Sequence, residues 1–168
     1  MIDQSLMVNG RTVVRRAIAD WINAAGIPGL QVYPGMLAID DDEIDSSANA
    51  VCHGYVHLPN DDESRLAMGG PYSGVKENDF DIDLVLKYWS SNEDWLSCQE
   101  DFDRIIWFVK AQLRTGGRTL GRPDVVLTAG EWTPGIKVQQ SEPVAVNGST
   151  YFQHAVIAFQ VTEILMNT

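Results

Sequence analysis

Two stretches of the chain space their apolar residues as an amphipathic helix does. The first runs from about Arg11 to Ala25, and Gly26 followed by Pro28 predicts where the helix ends. Its apolar positions recur every three or four residues, which predicts one buried stripe. They are Val14, Ile18, Trp21, Ile22 and Ala25.

The second helical stretch begins after small polar and acidic residues, Ser91 to Asp94, that suit a helix N-terminus. It is predicted to end near Arg114, before Gly116 and Gly117. Its buried stripe is predicted to comprise Trp95, Phe102, Ile105, Ile106, Val109 and Leu113. We expect the tryptophans of both helices, Trp21, Trp95 and Trp107, to serve packing.

Strict alternation of apolar and polar residues predicts a strand from Asp79 to Tyr88. One face of this strand carries Phe80, Ile82, Leu84, Leu86 and Tyr88, and the other carries Asp79, Asp81, Asp83, Val85 and Lys87. Weaker patterns predict further strands at Leu30–Ile39, Ala50–Leu58, Val125–Leu127, Gly135–Val146 and Thr150–Leu165. Asn147-Gly148 joins the last two as a hairpin turn.

Residues Pro59 to Asn78 show neither period and contain four loop-forming residues, so we expect one long functional loop there. The order of elements predicts a single α+β domain over residues 1–168. In that domain a mixed or mainly antiparallel sheet packs against two helices, and a β-hairpin closes the chain.

Composition narrows the class of protein. The 168 residues are 45% hydrophobic and 21% charged, which excludes a chain disordered throughout and any fibrous repeat. No apolar run approaches the length of a membrane span, and the first residues lack the features of a secretion signal. Two cysteines make no disulfide framework, so we expect reduced thiols. The sequence predicts no membrane association.

The net charge of −11 is concentrated in one stretch. Residues 40 to 83 contain twelve acidic and two basic side chains, whereas the remaining chain is nearly neutral. Affinity for nucleic-acid backbones comes from Lys and Arg, so this balance argues against a general nucleic-acid binder. It is compatible with a solvated face, a basic partner or a surface that repels DNA.

Motifs for chemistry are largely missing from the sequence. Neither a phosphate-binding glycine loop nor a serine-hydrolase elbow occurs. On a strand, His53 and His57 share a face and Cys52 points away, so these residues do not supply a four-ligand metal site. The two histidines could face Asp79, Asp81 and Asp83 on a paired strand, which would raise their pKa values. We expect no catalytic residue, metal or cofactor. We also expect His154, in an apolar strand, to be a packing residue.

The one basic concentration of the chain comprises Lys110, Arg114, Arg118 and Arg122. Two interpretations stay open. These residues could complement the C-terminal end of the second helix and an adjacent solvated loop. Alternatively, they could contact the acidic segment of a neighbouring identical subunit in a head-to-tail ring.

The chain as a whole resembles the tail terminator, or tail completion, proteins of long-tailed bacteriophages. The resemblance spans about residues 10 to 166 and depends on element order, on RRAIADWIN in the first helix, on the strand DFDIDLVLKYW and on the closing FQHAVIAFQVTEIL. It implies a non-enzymatic structural protein of the virion tail, assembled in the host cytoplasm. Such a protein forms a hexameric ring on the tail tube, stops tube polymerisation and presents a surface to the head connector.

The resemblance also gives the acidic stretch a role. Its implied partners are further copies of the chain, the tail tube protein and head connector proteins, while DNA passes through the ring without specific binding. A passage for DNA benefits from negative charge that prevents phosphate adhesion. We therefore expect an acidic surface at the lumen or its loop, formed by Asp61, Asp62, Glu63, Asp79, Asp81 and Asp83.

Other functions remain compatible with the sequence. The chain could be a head-to-tail joining or minor tail protein of similar size. An Asp-rich face could also imitate nucleic-acid phosphates and bind a basic host protein. A small enzyme with a site that the sequence does not display is a further alternative, since a fold does not exclude one.

Overall fold

Nine helices and strands follow one another in the described part of a computed structural model, which covers residues 10–35, 51–65, 76–90, 94–115, 120, 126–129, 135–146 and 150–165. They are α1 (Arg11–Asn23), β1 (Leu30–Tyr33), β2 (Val51–Arg65), β3 (Lys76–Ser90), α2 (Trp95–Arg114), β4 (Val126–Ala129), β5 (Lys137–Gln140), β6 (Val144–Val146) and β7 (Thr150–Leu165). The two predicted helices are therefore confirmed.

The strands form one seven-stranded sheet with the order β1-β2-β3-β7-β4. β1 runs parallel to β2, and every other pairing is antiparallel. Along its second edge, β7 pairs in turn with β6, β5 and β4. The sheet is mixed and packs against two helices, so the predicted α+β class is confirmed.

β3 lies at the centre of the sheet and shows the predicted alternation. Every apolar residue at its even positions is buried, whereas the odd positions from 79 to 89 are only half-buried. The even positions are Phe80, Ile82, Leu84, Leu86 and Tyr88. Strand pairing on both sides of β3 extends this division to β2 and β7, so one face of the sheet forms the core.

Both helices pack on that core face. α1 buries Val14, Ala17, Ile18, Ala19 and Ile22, and α2 buries Cys98, Phe102, Ile105, Ile106, Val109 and Leu113. Asp94 caps α2, because its side chain accepts a hydrogen bond of 3.0 Å from the Leu96 backbone N–H. Trp21 and Gln112 join the helices: each side chain donates to the other residue's backbone carbonyl, at 2.9 and 2.8 Å.

The structure corrects the predicted loop at Pro59–Asn78. Residues 59–65 continue β2 and residues 76–78 begin β3, and the two segments pair with each other; residues 66–75 lie outside the described chain. A register shift between His57 and Asn60 marks a β-bulge. Beyond the bulge, polar residues occupy both faces of β2. The strand is held there by backbone pairing with β3, and the sequence lacks the alternation of apolar and polar residues from which a strand is predicted.

The first of the two closing strands is also different from the prediction. Gly135–Val146 divides into β5 and β6, separated by residues 141–143. Ser141 still pairs with His154, but its hydroxyl accepts the His154 backbone N–H at 2.9 Å. Pro143 has no backbone N–H for a ladder. The predicted strand is therefore interrupted at residues 141–143, between β5 and β6.

Two of the three tryptophans expected in the core are instead exposed. Trp95 is 54% exposed and Trp107 is 62% exposed, while Trp21 is half-buried. Trp95 lies in the first turn of α2, and Trp107 lies on the side of α2 away from its buried stripe. The packing prediction is wrong for both residues.

Candidate interaction surfaces

One face of the sheet carries no helix in the described chain, and we call it the open face. Its side chains are half-buried or exposed, in contrast to the fully buried residues beneath α1 and α2. Pairing register assigns its members, because residues directly opposite each other on neighbouring strands share a face. The open face divides into an acidic end and an apolar, aromatic end.

The acidic end contains four carboxylates, which we call the acidic patch: Asp62, Asp79, Asp81 and Asp83. Asp62 lies directly opposite Asp79, and like charges directly opposite each other on paired strands are destabilising. Thr162 donates its hydroxyl to Asp79 at 2.6 Å, and Gln160 donates its amide to Asp81 at 3.0 Å. Within the described chain these hydrogen-bond partners are uncharged. His57 lies opposite Asp83, and Lys137 lines the same hollow as Asp81 and Asp83, so one lysine lies near the inner two of the four carboxylates.

The six predicted acidic residues do not form one surface. Asp61 lies opposite Phe80 and therefore on the core face of the sheet, where Arg11 of α1 donates to its carboxylate. Arg11 also donates to the Leu58 carbonyl. The backbone of Glu63 lies in β2, and the position of its side chain is outside the described structure.

The histidines of β2 have different neighbours. His57 lies opposite Asp83, as predicted, whereas His53 lies opposite Lys87. Burial lowers the pKa of His53, so the predicted rise in its pKa is wrong. Cys52 points into the core, where burial raises the pKa of its thiol. Among the described residues, no three metal-ligating side chains come together.

Ring contacts run across the aromatic end of the open face. Tyr33 stacks on His53 at 6.1 Å between ring centroids, and His53 meets Trp89 edge-on at 6.4 Å. Trp89 contacts Phe152 at 4.9 Å, and Phe152 stacks on His154 at 6.1 Å. We call these five residues the aromatic band. His154 is exposed at its end, so its predicted packing role is wrong.

The band continues into a second apolar row nearer the acidic patch. Register places Tyr33, Tyr55, Val85 and Val156 side by side on four adjacent strands. All four are half-buried. Beyond the band, Val144 and Val146 on the edge strand β6 are exposed. This half of the open face is therefore an apolar and aromatic surface around Lys87, and exposed apolar surfaces of this kind occur at protein contacts.

The outer side of α2 presents a second apolar surface. Trp107 and Phe108 are 62% and 41% exposed, with ring centroids 5.1 Å apart. Cavities of about 420 and 370 Å³ flank Phe108 beside the turn at Ile27 and Pro28. With Arg104, Lys110 and Arg114 these two aromatic residues form what we call the α2 ridge. The other predicted basic residues, Arg118 and Arg122, lie outside the described residues.

The sequence prediction placed Trp107 with the packed residues, although its helical position already indicates exposure. Trp107 is one residue after Ile106 and two before Val109, both in the buried stripe. At 100° per residue, position 107 points almost directly away from that stripe. A helical projection therefore identifies it as a surface tryptophan, a residue type enriched at binding hot spots.

Comparison with known proteins does not assign this chain to a family. No protein-family model matches it, and no curated protein matches it. Among solved structures, it is similar to a chain described as the virion of a native gene transfer agent particle, with a TM-score of 0.39 and 9% sequence identity. The match covers 90% of this chain and 95% of the other. A likeness at this score carries no functional inference. No helix within the described ranges is long and apolar enough to cross a membrane.

Proposed function

We propose that the chain is a structural protein of a phage-like virion. In this proposal it acts as a tail terminator: copies form a hexameric ring on the tail tube, stop its polymerisation and present a surface for head attachment. The sequence resemblance described above supports the tail role. The surfaces of the folded chain support assembly into a ring.

The observation that carries the proposal is the presence of two unlike uncovered surfaces on opposite sides of the subunit. The α2 ridge faces away from the sheet on the helix side, and the open face lies on the other side. Two different surfaces on one subunit favour a head-to-tail contact between copies, which closes into a ring when the rotation permits. Exposed aromatic residues are the usual anchors of such contacts.

The acidic end of the β2–β3 pair supports the second part of the proposal. Asp62 and Asp79 lie opposite each other on the open face, and Asp61 lies next to them on the other face. A ring repeats this acidic end in every subunit, and we place it at the DNA passage. Repulsion of phosphates there lets DNA move without adhesion.

A head-to-tail joining protein and a mimic of nucleic acid remain alternatives with different expected behaviour. A joining protein also forms a ring, but it does not control tube length. A mimic stays monomeric and binds a basic host protein through the acidic patch, because charge complementarity guides such encounters.

Light scattering coupled to size-exclusion chromatography, followed by electron microscopy of purified protein mixed with tail tubes, tests the proposal. We expect hexameric rings, or monomers that form a ring on tube ends. Tube ends that stay uncapped while the protein remains monomeric would contradict it. A cryo-electron-microscopy map with Asp61, Asp62 and Asp79 on the outer rim would contradict the placement of the acidic end.

A further inference from the structure

We propose that the α2 ridge of one copy docks on the open face of the next copy. In this contact Trp107 and Phe108 pack on the row formed by Tyr55 and Val85 and its neighbours. Lys110 and Arg114 then face Asp81 and Asp83. The proposal rests on the proposed function, because it specifies the subunit contact from which the ring is built.

Each of the two surfaces has an apolar part that the subunit itself leaves uncovered within the described chain. On the ridge, Trp107 and Phe108 contact each other, and 62% and 41% of their surfaces stay exposed. On the open face, the half-buried row of Tyr33, Tyr55, Val85 and Val156 has no helix over it within the described chain. Burial of this exposed apolar area between two subunits removes it from water and stabilises the complex.

The two surfaces also carry complementary charges. α2 has no acidic residue after Asp103, so the half of the helix that carries Trp107 is purely basic. The opposing surface offers Asp81 and Asp83, which line a hollow of about 260 Å³ together with Lys137. The two carboxylates outnumber the one lysine, so the hollow keeps a net negative charge. Opposite potentials on two surfaces guide docking and fix its register.

The two surfaces share the order of their apolar and charged groups, and the spacings of these groups differ by about 3 Å. Along α2, Lys110 and Arg114 follow Trp107 by about 4.5 and 10 Å. Along β3, Asp83 and Asp81 precede Val85 by about 7 and 13 Å. A ridge laid along the strand direction therefore brings the aromatic pair over the apolar row and both cations near both carboxylates.

This contact leaves the acidic end of the hairpin available to the passage. Asp62 and Asp79 lie further along the strands than Asp81, away from the apolar row. The acidic patch is thereby divided: Asp81 and Asp83 serve the subunit contact, and Asp62 and Asp79 lie outside it. The remaining exposed apolar residues, Trp95 and Val144 among them, lie outside the contact.

A charge-swap experiment tests the contact. The ridge variant combines Lys110→Glu and Arg114→Glu, and the face variant combines Asp81→Lys and Asp83→Lys. Each variant alone brings like charges together, so we expect at least a tenfold loss of self-association by light scattering or analytical ultracentrifugation. A mixture of the two restores assembly, because every contact between unlike copies again joins opposite charges.

Controls separate loss of contact from loss of folding. Asp20→Lys changes an exposed charge on α1 and should leave association unchanged. Circular dichroism checks the fold, and Asp81→Asn with Asp83→Asn gives a milder face variant that keeps hydrogen-bonding groups at both positions. With this milder variant we expect a smaller loss of association that is no longer sensitive to salt.

The outcomes distinguish the contact from the function. Restoration by mixing supports the docking of ridge on face. Folded variants that assemble as the unmodified chain does, or a mixture that stays dissociated, overturn it while the ring itself stands. If the unmodified chain neither assembles nor caps tubes, the proposed function fails together with the contact. Co-purification with a basic host protein in place of self-association likewise overturns both.

Discussion

Replacing Trp107 by alanine removes the largest exposed side chain of the α2 ridge. A tryptophan side chain has roughly 150–250 Å² of surface, of which this one leaves 62% in solvent. Complete burial of that part, about 120 Å², at roughly 25 cal/mol per Å² corresponds to about 3 kcal/mol per contact. We therefore expect Trp107→Ala to weaken subunit association by about 100-fold.

The same substitution should leave the folded subunit almost unchanged. Trp107 lies outside the buried stripe of α2, and alanine is a good helix former. Association is measured by sedimentation equilibrium over a range of concentrations, and stability by chemical denaturation of the dissociated subunit. Trp95→Ala provides a matched control, because it removes a tryptophan of similar exposure from the same helix outside the proposed contact.

Three results would refute the reasoning about Trp107. Equal association of the Trp107→Ala and unmodified chains would show that the ridge is not a contact. Equal weakening by Trp95→Ala would show that exposed apolar area, rather than this surface, drives assembly. A loss of subunit stability above about 1 kcal/mol would show that Trp107 supports the fold.

Three further predictions concern the fold of the subunit. Phe102→Ala, in the core against Tyr88, should lower the free energy of unfolding by about 3–5 kcal/mol, measured by denaturant titration; a loss below 1 kcal/mol would contradict the assigned packing. Asn23→Ala should lower the free energy of unfolding by about 1–3 kcal/mol in the same assay. The Asn23 side-chain amide donates to the Val32 carbonyl at 2.8 Å, and its oxygen accepts the Val32 backbone N–H at 2.9 Å, so the substitution leaves both backbone groups of Val32 in β1 without these hydrogen bonds. Because burial lowers the pKa of His53 below its ordinary 6.5, the unfolded chain takes up protons first as the pH falls through 6.5. Stability should therefore decrease below that pH, and His53→Gln should flatten the profile; a profile unchanged by His53→Gln would contradict the assigned burial.

The sequence predicts β3 well because its two faces differ in polarity. The apolar even positions from Phe80 to Tyr88 alternate with odd positions that are charged except for Val85, and a period of two fits a half-buried strand. The same reasoning fails for residues 59–65, because polar residues occur on both faces there. Backbone pairing with β3 supplies the order, and pairing partners are not visible in a local pattern.

The division of the acidic residues depends on a feature that no local pattern reveals. Without the bulge between His57 and Asn60, Asp61 would share a face with His53 and His57, and Asp62 would face the core side. The extra residue exchanges the two faces for the residues that follow it. Asp62 therefore lies beside Asp79 on the open face, and Asp61 lies on the core face, where Arg11 donates to its carboxylate. The candidate acidic residues could be predicted from the sequence, but their distribution between two faces could not.

The role of α2 was only partly readable from the sequence. Its start at Trp95, its end at Arg114 and most of its buried stripe follow from periodicity and from the glycines beyond it. Trp95 has the spacing of the buried stripe but lies in the first turn of α2, where it is exposed. Trp107 was assigned to packing from residue type, and its angular position away from the stripe identifies it as a surface residue.

Electron microscopy of tails assembled with and without this chain tests the proposal that it ends the tail tube. We expect tails of uniform length when the chain is present, and tubes of unregulated length when it is absent. Tails of normal length that fail only to join heads would contradict termination and indicate a joining protein. Tails of normal length that also join heads in the absence of the chain would contradict any structural role in the tail.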